Sequence, residues 1–536
     1  MGAPSTRAVN LAHFLTLTAR RLPDHDALVH GETRWTWADL DHRVSRLAAE
    51  LRRRGVGRGD CVMLHSPNHP EFVQAMFAAW RVGASLAPTN ARLTADDVAV
   101  IAGVCRPSLL LVHPRLADQV PTITAATGHD HVEVMWVGDD DAAYGGDAIG
   151  ALPADGPVLP DQDVTVGQHA WYFFTSGTSG TPKAAVLTHE QMGFVTLNHA
   201  ADLMPGLDAD HASIAVAPLS HGAGIHLLPN VARGARTVLP TSPGLDPAEV
   251  WALVERERVT NAFTVPTILK MLAEHPAAAE HDVSSLRHVI YAGAPMYAAD
   301  QARARAVLGE VLVQYYGLGE VTGNITVLPP HEHGRPRPAG VEFGTCGYPR
   351  TGMQVSIQDD TGAEVGPGVQ GEICVAGPAV CHGYLDNPAA DAAAFRDGWF
   401  RTGDLGMLDE HGYLYVTGRA SDMFISGGSN VYPRDIEEKL LTHPGVAEVA
   451  VLGMPDPTWG EVGVAVCVPA AGATLDADDL RAHLDGRLAR YKVPRHFEVW
   501  DELPKSGYGK VVKRHLRTRL ESAGWPPAER PAPVPA

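Results

Sequence analysis

Residues 172–189 read YFFTSGTSGTPKAAVLTH. The hydroxyl side chains of Thr175, Ser176, Thr178, Ser179 and Thr181 crowd around Gly177 and Gly180, and the run ends at Pro182 and Lys183. The glycines let the backbone bend so that successive N–H groups aim at one point. The hydroxyls add uncharged donors, and Lys183 adds one mobile positive charge. That is chemistry for holding a polyphosphate. The spacing is not the G-x-x-x-x-G-K-[ST] of the common P-loop. A serine- and glycine-rich surface loop is the alternative that this stretch alone leaves open.

Such a loop needs rigid elements on either side. WYFF at 171–174 predicts a buried strand leading into the loop 175–183. Within 43–55, Val44, Leu47 and Leu51 recur at helical spacing between arginine-rich polar positions. GDCVMLHSPN, SLLLVHP and VEVMWVG are short apolar runs ended by turn residues, as buried strands are. This alternation predicts an α/β fold with largely buried sheets. After Gly344 the texture changes to strands divided by glycine and aspartate turns. Beyond YLYVTGRASDM a helix is expected to begin after Pro433, with Glu437, Glu438 and Lys439 on its face. The predicted organisation is a large N-terminal domain, 1–418, of two layered α/β subdomains and a β-rich subdomain over about 344–418. A small α+β C-terminal domain follows at 419–525, and a proline-rich disordered tail at 526–536.

Composition narrows the class. The chain has 536 residues, 45% hydrophobic and 20% charged, with a formal net charge of -19. That suits a globular protein with a real core and argues against a general nucleic-acid binder. The six cysteines are scattered without a CxxC pair, which predicts buried thiols. His331 and His333 flank Glu332, but prolines surround them, and a loop is expected there and not a metal site. No secretory leader, membrane span or C-terminal address is legible, so a cytoplasmic protein is the expectation.

Further motifs run along the chain: HSPNHPEF (65–72), APLSHGAG (217–224), YAGAP (291–295), QYYGLGE (314–320), GWFRTGDLG (398–406), GYLYVTGRASDMFISGGSNVYPRDIE (412–437) and LPKSGYGK (503–510). With TSGTSGTPK (175–183), and in this order, they resemble the adenylate-forming superfamily, specifically its acyl- and aryl-CoA synthetases. The resemblance covers about 14–519. It implies two reactions in one site. A carboxylate attacks the α-phosphate of MgATP to give an acyl-adenylate and pyrophosphate. The thiol of coenzyme A then displaces AMP and leaves a thioester.

The resemblance also implies roles. Thr175, Ser176, Gly177, Thr178, Ser179, Gly180 and Lys183 would hold the β- and γ-phosphates. Glu320 would help hold Mg²⁺. Asp404 would accept both ribose hydroxyls, an Asx turn being the plainer reading of that residue. Arg419 would reach ribose or phosphate. Gly293, Ala294 and Pro295 would wall the adenine slot, with Tyr316 stacking opposite and Gln314, Tyr315, Gly317 and Gly319 completing the nucleotide site. His221 would stand between the acyl and CoA pockets. Lys510 would bridge the substrate carboxylate and the α-phosphate. Gly427 and Gly428 would border the pantetheine tunnel once the mobile small domain turns about Ser421.

Three positions depart from the family pattern, one of them Ala184, where Gly is common after the loop lysine. Ser421 stands where Asp or Lys is usual, and Gly319 where Thr is usual. Either Thr322 or a water replaces the lost hydroxyl, or the missing side chain enlarges the acyl pocket. Amino-acid-activating relatives usually present an aspartate in the region after residue 218, but PLSHGAGIHLLPN (218–230) has no acid, which argues against an amino-acid substrate. His226 and Asn230 either give the acyl pocket a polar side or pack against protein groups. Phe263, Val265, Met296 and Val321 are candidate apolar walls. Fatty and aryl acids both stay open, and a homodimer is admitted without a residue to argue it. The rival readings are an adenylating enzyme with another acceptor, such as a carrier-protein thiol, a luciferase-like oxygenase, or a degenerate nucleotide-binding homologue.

Overall fold

The helix Trp37–Arg53 shows how the local rules work out. Thr36 caps it through the N–H of Asp39, and Asp39 answers in a capping box. Val44, Leu47 and Leu51 fall on one face and are fully buried. In the computed structural model the described residues are 6–138, 148–153, 156, 158–176, 182–294, 296–338, 341, 343–426, 429–505 and 511–525.

Two sheets carry the first part of the chain. The first, six-stranded, runs in the order Pro182–Thr188, His169–Ser176, Ser85–Thr89, Cys61–His65, Leu109–Val112, Glu133–Trp136. Its central strands are parallel and apolar on both faces, as expected of strands covered by helices. The second, nine-stranded, has a parallel centre, and Asn261–Thr264, His288–Tyr291 and Leu312–Tyr316 are neighbours within it. The largest core cluster joins the two sheets through Trp37, Trp80, Trp171 and Phe263. All six cysteines lie buried as free thiols.

A five-stranded antiparallel sheet follows, containing Gly371–Ala376, Trp399–Leu408 and Leu414–Arg419. The last sheet is built on the long hairpin Val446–Asp456 and Gly460–Pro469. The helix Pro433–Leu440 packs on it. Glu437 and Glu438, placed on the face of this helix by the sequence, are buried. Glu437 takes the N–H of Val451 at 2.9 Å, the ammonium of Lys513 at 3.1 Å and the hydroxyl of Tyr297 at 3.5 Å. Arg434 donates to the Val416 carbonyl at 2.6 Å. These contacts tie this helix to the preceding sheets. No helix of the described residues is long and apolar enough to cross a membrane.

Candidate active site

The strands His169–Ser176 and Pro182–Thr188 pair antiparallel, and Thr175 stands directly opposite Lys183. The expected loop 175–183 is therefore shorter, because both of its ends are strand. Gly177, Thr178, Ser179 and Gly180 lie outside the described residues, as do the Ser176 side chain, Pro295, Gly427, Gly428 and Lys510.

Glu320 sits on the short turn Gly319–Val321 that follows the strand Leu312–Tyr316. The chain doubles back so tightly here that a Cβ on Gly317 would overlap the backbone of Gly323. Glu320 Oε1 accepts the hydroxyls of Thr175 at 2.9 Å and Tyr384 at 3.0 Å. Its carbonyl takes the N–H of Cys381 at 2.6 Å. The segment 382–385 runs beside Pro182–Thr188, exchanging backbone bonds with Ala184 and Val186. That puts the Tyr384 ring against Lys183, with Nζ 5.2 Å from the ring centroid. Burial first, and then the Glu320 charge, push the Tyr384 phenol far up, so it stays a hydroxyl donor. Tyr384 was missed by sequence reasoning, since a tyrosine in CHGYLDNP carries no pattern of its own.

A second carboxylate, Asp404, acts with Glu320 on the charge of Arg419. Asp404 on Trp399–Leu408 faces Arg419 on Leu414–Arg419, and Arg419 Nε lies 3.0 Å from Oδ1. The Tyr316 hydroxyl donates to Oδ2 at 2.6 Å. Asp404 sits inside a strand, so the Asx-turn reading is wrong. The Asp404 charge raises the Arg419 guanidinium, while burial and then Asp404 raise the Tyr316 phenol. A carboxylate has room for further donors beyond these two.

Gln314 and Tyr316 share one side of their strand. Gln314 Oε1 accepts the hydroxyl of Tyr291 at 3.1 Å, which links it to the strand end that leads to Gly293 and Ala294. Tyr315 alternates to the other side, as strand geometry requires. It is buried, stacked on Phe263 at 6.0 Å between centroids, with His199 also at 6.0 Å. The structure thus sets Tyr315 in the core, apart from the nucleotide-site grouping expected for it.

His221 precedes the helix Gly222–Arg233, and its ring meets the edge of Phe173 at 4.9 Å. A Cβ on Gly319 would drive into the Phe173 ring and lie 3.1 Å from Thr175 Cγ2. Phe173 thus fills the volume over Gly319, and the enlarged pocket expected there is absent. Thr322 is no replacement, because its buried hydroxyl accepts from Gln191 at 2.8 Å. His226 and Asn230 pack against protein groups. His226 bonds Asn261 Oδ1 at 2.8 Å, and Asn261 donates to Asn230 Oδ1 at 3.1 Å. Phe263, Met296 and Val321 belong to three different core clusters. His333 bonds the Tyr291 hydroxyl and the Pro329 carbonyl. Among the described residues no group of three or more His, Cys, Asp or Glu could hold a metal ion by itself.

The model of the AMP-binding enzyme family matches residues 15–385, and that of its C-terminal domain matches 435–510. The chain belongs to this family. Within the AMP-binding enzymes it groups with the AMP-forming acyl-CoA synthetases. A feruloyl-CoA synthase of an Amycolatopsis species is 38% identical over 504 residues, covering 94% of this chain and 97% of that protein. The indoleacetate–CoA ligase of Aromatoleum aromaticum is 36% identical, covering 93% and 94%. The crystal structure of ATP-bound MatB from Rhodopseudomonas palustris superposes with a TM-score of 0.84 at 30% identity, over 96% of this chain and 99% of that one. The fold is thus that of adenylating enzymes.

Proposed function

We propose that this AMP-binding enzyme activates a carboxylic acid with ATP and passes it to coenzyme A through the residues that meet around Glu320 and Asp404. In the first step a carboxylate oxygen bonds to the α-phosphorus, the bond from that phosphorus to the bridging oxygen breaks, and pyrophosphate leaves. In the second, the CoA sulfur bonds to the acyl carbon, the bond to AMP breaks, and the thiol proton goes to solvent or base. Both reactants of the first step are anions, so the site must fix them in line and offset negative charge.

The turn between Thr175 and Lys183 holds the β- and γ-phosphates, with Lys183 as the point charge. Among the described residues no group donates to Glu320 Oε2. A lone oxygen ligand beside a phosphate turn fits Mg²⁺, which keeps waters and takes phosphate oxygens. Held by Glu320, such an ion would supply positive charge against the phosphate oxygens. Asp404, steadied by Tyr316 and Arg419, takes the ribose hydroxyls. Gly293, Ala294 and Pro295 border the base. His221 stands at the mouth shared by acid and thiol. Lys510 is delivered by a C-terminal domain beginning at 419 and pivoting at Ser421, and Gly427 and Gly428 leave room for pantetheine.

The observation that carries this reading is the meeting of Thr175 and Tyr384 on one oxygen of Glu320, with Lys183 over the same tyrosine ring. The test is AMP release across a panel of fatty and aryl acids, with and without CoA. The reading expects acid-dependent AMP and a CoA thioester. Acid-dependent AMP with no thioester points to another acceptor, and no acid-dependent turnover overturns the reading.

A further inference from the structure

The motif HSPNHPEF (65–72) joins the end of the strand Cys61–His65 to the start of the helix Pro70–Arg81. Between them the Asn68 side chain crosses from the first sheet to the second. It meets the segment that continues the strand Ala212–Ile214 and leads to His221. Asn68 Nδ2 donates to the carbonyls of Ala215 at 3.3 Å and Ala217 at 2.9 Å. Its Oδ1 accepts the Leu219 N–H at 2.8 Å. One amide thus serves three alternate residues, as the backbone of a neighbouring strand would.

The residue type suits the task. Two carbonyls need a donor and one N–H needs an acceptor, and a side-chain amide carries both. Leu219 is held at its other end too. A Cβ on Gly224 would overlap the Leu219 carbonyl and press on the Trp171 ring, so the bare first turn of the helix Gly222–Arg233 sits directly against that carbonyl. The next two residues are bonded in turn. The His221 N–H donates to the Pro218 carbonyl at 3.1 Å, and the Ser220 hydroxyl lies 3.3 Å from His221 Nδ1. The imidazole then stands against Phe173, 4.9 Å between centroids. The path from the Asn68 clamp to that ring is two residues long and bonded along its length.

This inference rests on the proposed acyl-CoA synthetase activity, in which His221 stands between acid and thiol. We infer that Asn68 is a positioning residue for His221, its amide fixing the backbone at Leu219 and so the place of the imidazole. Without the clamp, two carbonyls and an N–H lose their partner and the segment resettles. A displacement of about 1 Å in a reacting group can cost about 10²-fold in rate.

The test is a double-mutant cycle on thioester formation from preformed acyl-adenylate and CoA, with the acid that turns over fastest in the panel. Asn68→Ala, His221→Ala and the pair are compared, beside the KM for ATP and the thermal midpoint. Asn68→Ala alone should slow thioester formation by about tenfold or more, with the KM for ATP little changed. In the His221→Ala background the same substitution should cost nothing further in rate, while it still lowers the thermal midpoint. A purely structural role would lower the rate by the same factor in both backgrounds. Should Asn68→Ala not fold, Asn68→Ser, which keeps one hydroxyl, carries the same cycle. Additive losses in the double variant, or a wild-type rate in either single variant, overturn the inference and leave the activity standing. Wild type that forms no thioester on any acid of the panel overturns both.

Discussion

Tyr384 donates its hydroxyl to Glu320 Oε1 at 3.0 Å across 64 residues of sequence. The Thr175 hydroxyl reaches the same oxygen, and the face of the tyrosine ring takes Lys183. One side chain thus orients both the carboxylate and the ammonium of the proposed phosphate site. Tyr384→Phe keeps the ring and removes the donor. A hydrogen bond to a charged group contributes about 1.5–3 kcal/mol. Acid-dependent pyrophosphate release should therefore fall about 10–100-fold, with a higher Mg²⁺ concentration at half-maximal rate. A variant that matches wild type in a Mg²⁺ titration removes Tyr384 from the site.

Asp404 receives Tyr316 and Arg419 together. Asp404→Asn preserves its shape and removes its charge. The KM for ATP should rise about tenfold or more, the loss of one charged hydrogen bond. The KM for the acid should change far less. Steady-state titrations of each substrate check this, and equal changes in both contradict a ribose role.

Lys510→Ala separates the two half-reactions. Adenylation should drop about 10²–10³-fold or more, the scale of losing a preorganised charge at a developing oxyanion. Thioester formation from preformed acyl-adenylate should be nearly intact. Equal loss in both steps removes Lys510 from the first.

The fold carries a pH dependence of its own. Burial holds the imidazoles of His65, His189 and His226 down at about 4. His189 Nδ1 accepts the Leu11 N–H, and His226 Nε2 donates to Asn261, so both are bonded in their neutral forms. The unfolded chain binds these protons near pH 6.5 and the folded chain only near 4. Stability is therefore full above about pH 6.5 and is lost as pH falls toward 4, by about 2 kcal/mol per group at pH 5. The thermal midpoint should fall by about 5 °C between pH 7 and pH 5. A midpoint that is flat or rising toward pH 5 contradicts the burial of these rings as neutral groups.

Much of this was legible in the residues. The helix over Val44, Leu47 and Leu51 and the strand at Cys61–His65 follow from apolar spacing, a local property. Thr175, Lys183, Glu320, Asp404 and Arg419 were each named by motif, and the fold sets Thr175 against Glu320 and opposite Lys183, and Asp404 against Arg419. Tyr384 was not legible, because its role depends on a segment laid beside a strand two hundred residues earlier. Phe173 read as one more apolar strand residue, and only the backbone of Gly319 against its ring reveals its place. Tyr315 went astray for a simpler reason. Strand alternation sends it away from Gln314 and Tyr316 and into the core. Helical spacing put Glu437 and Glu438 on one face but could not say what covers it, and the tertiary fold buries them.

A structure with a non-hydrolysable ATP analogue and Mg²⁺ bound tests the central claim most directly. The β- and γ-phosphates should lie in the turn between Thr175 and Lys183, the ion on Glu320, and the ribose hydroxyls on Asp404. Phosphates bound elsewhere, with Glu320 still closed on Thr175 and Tyr384, would contradict it.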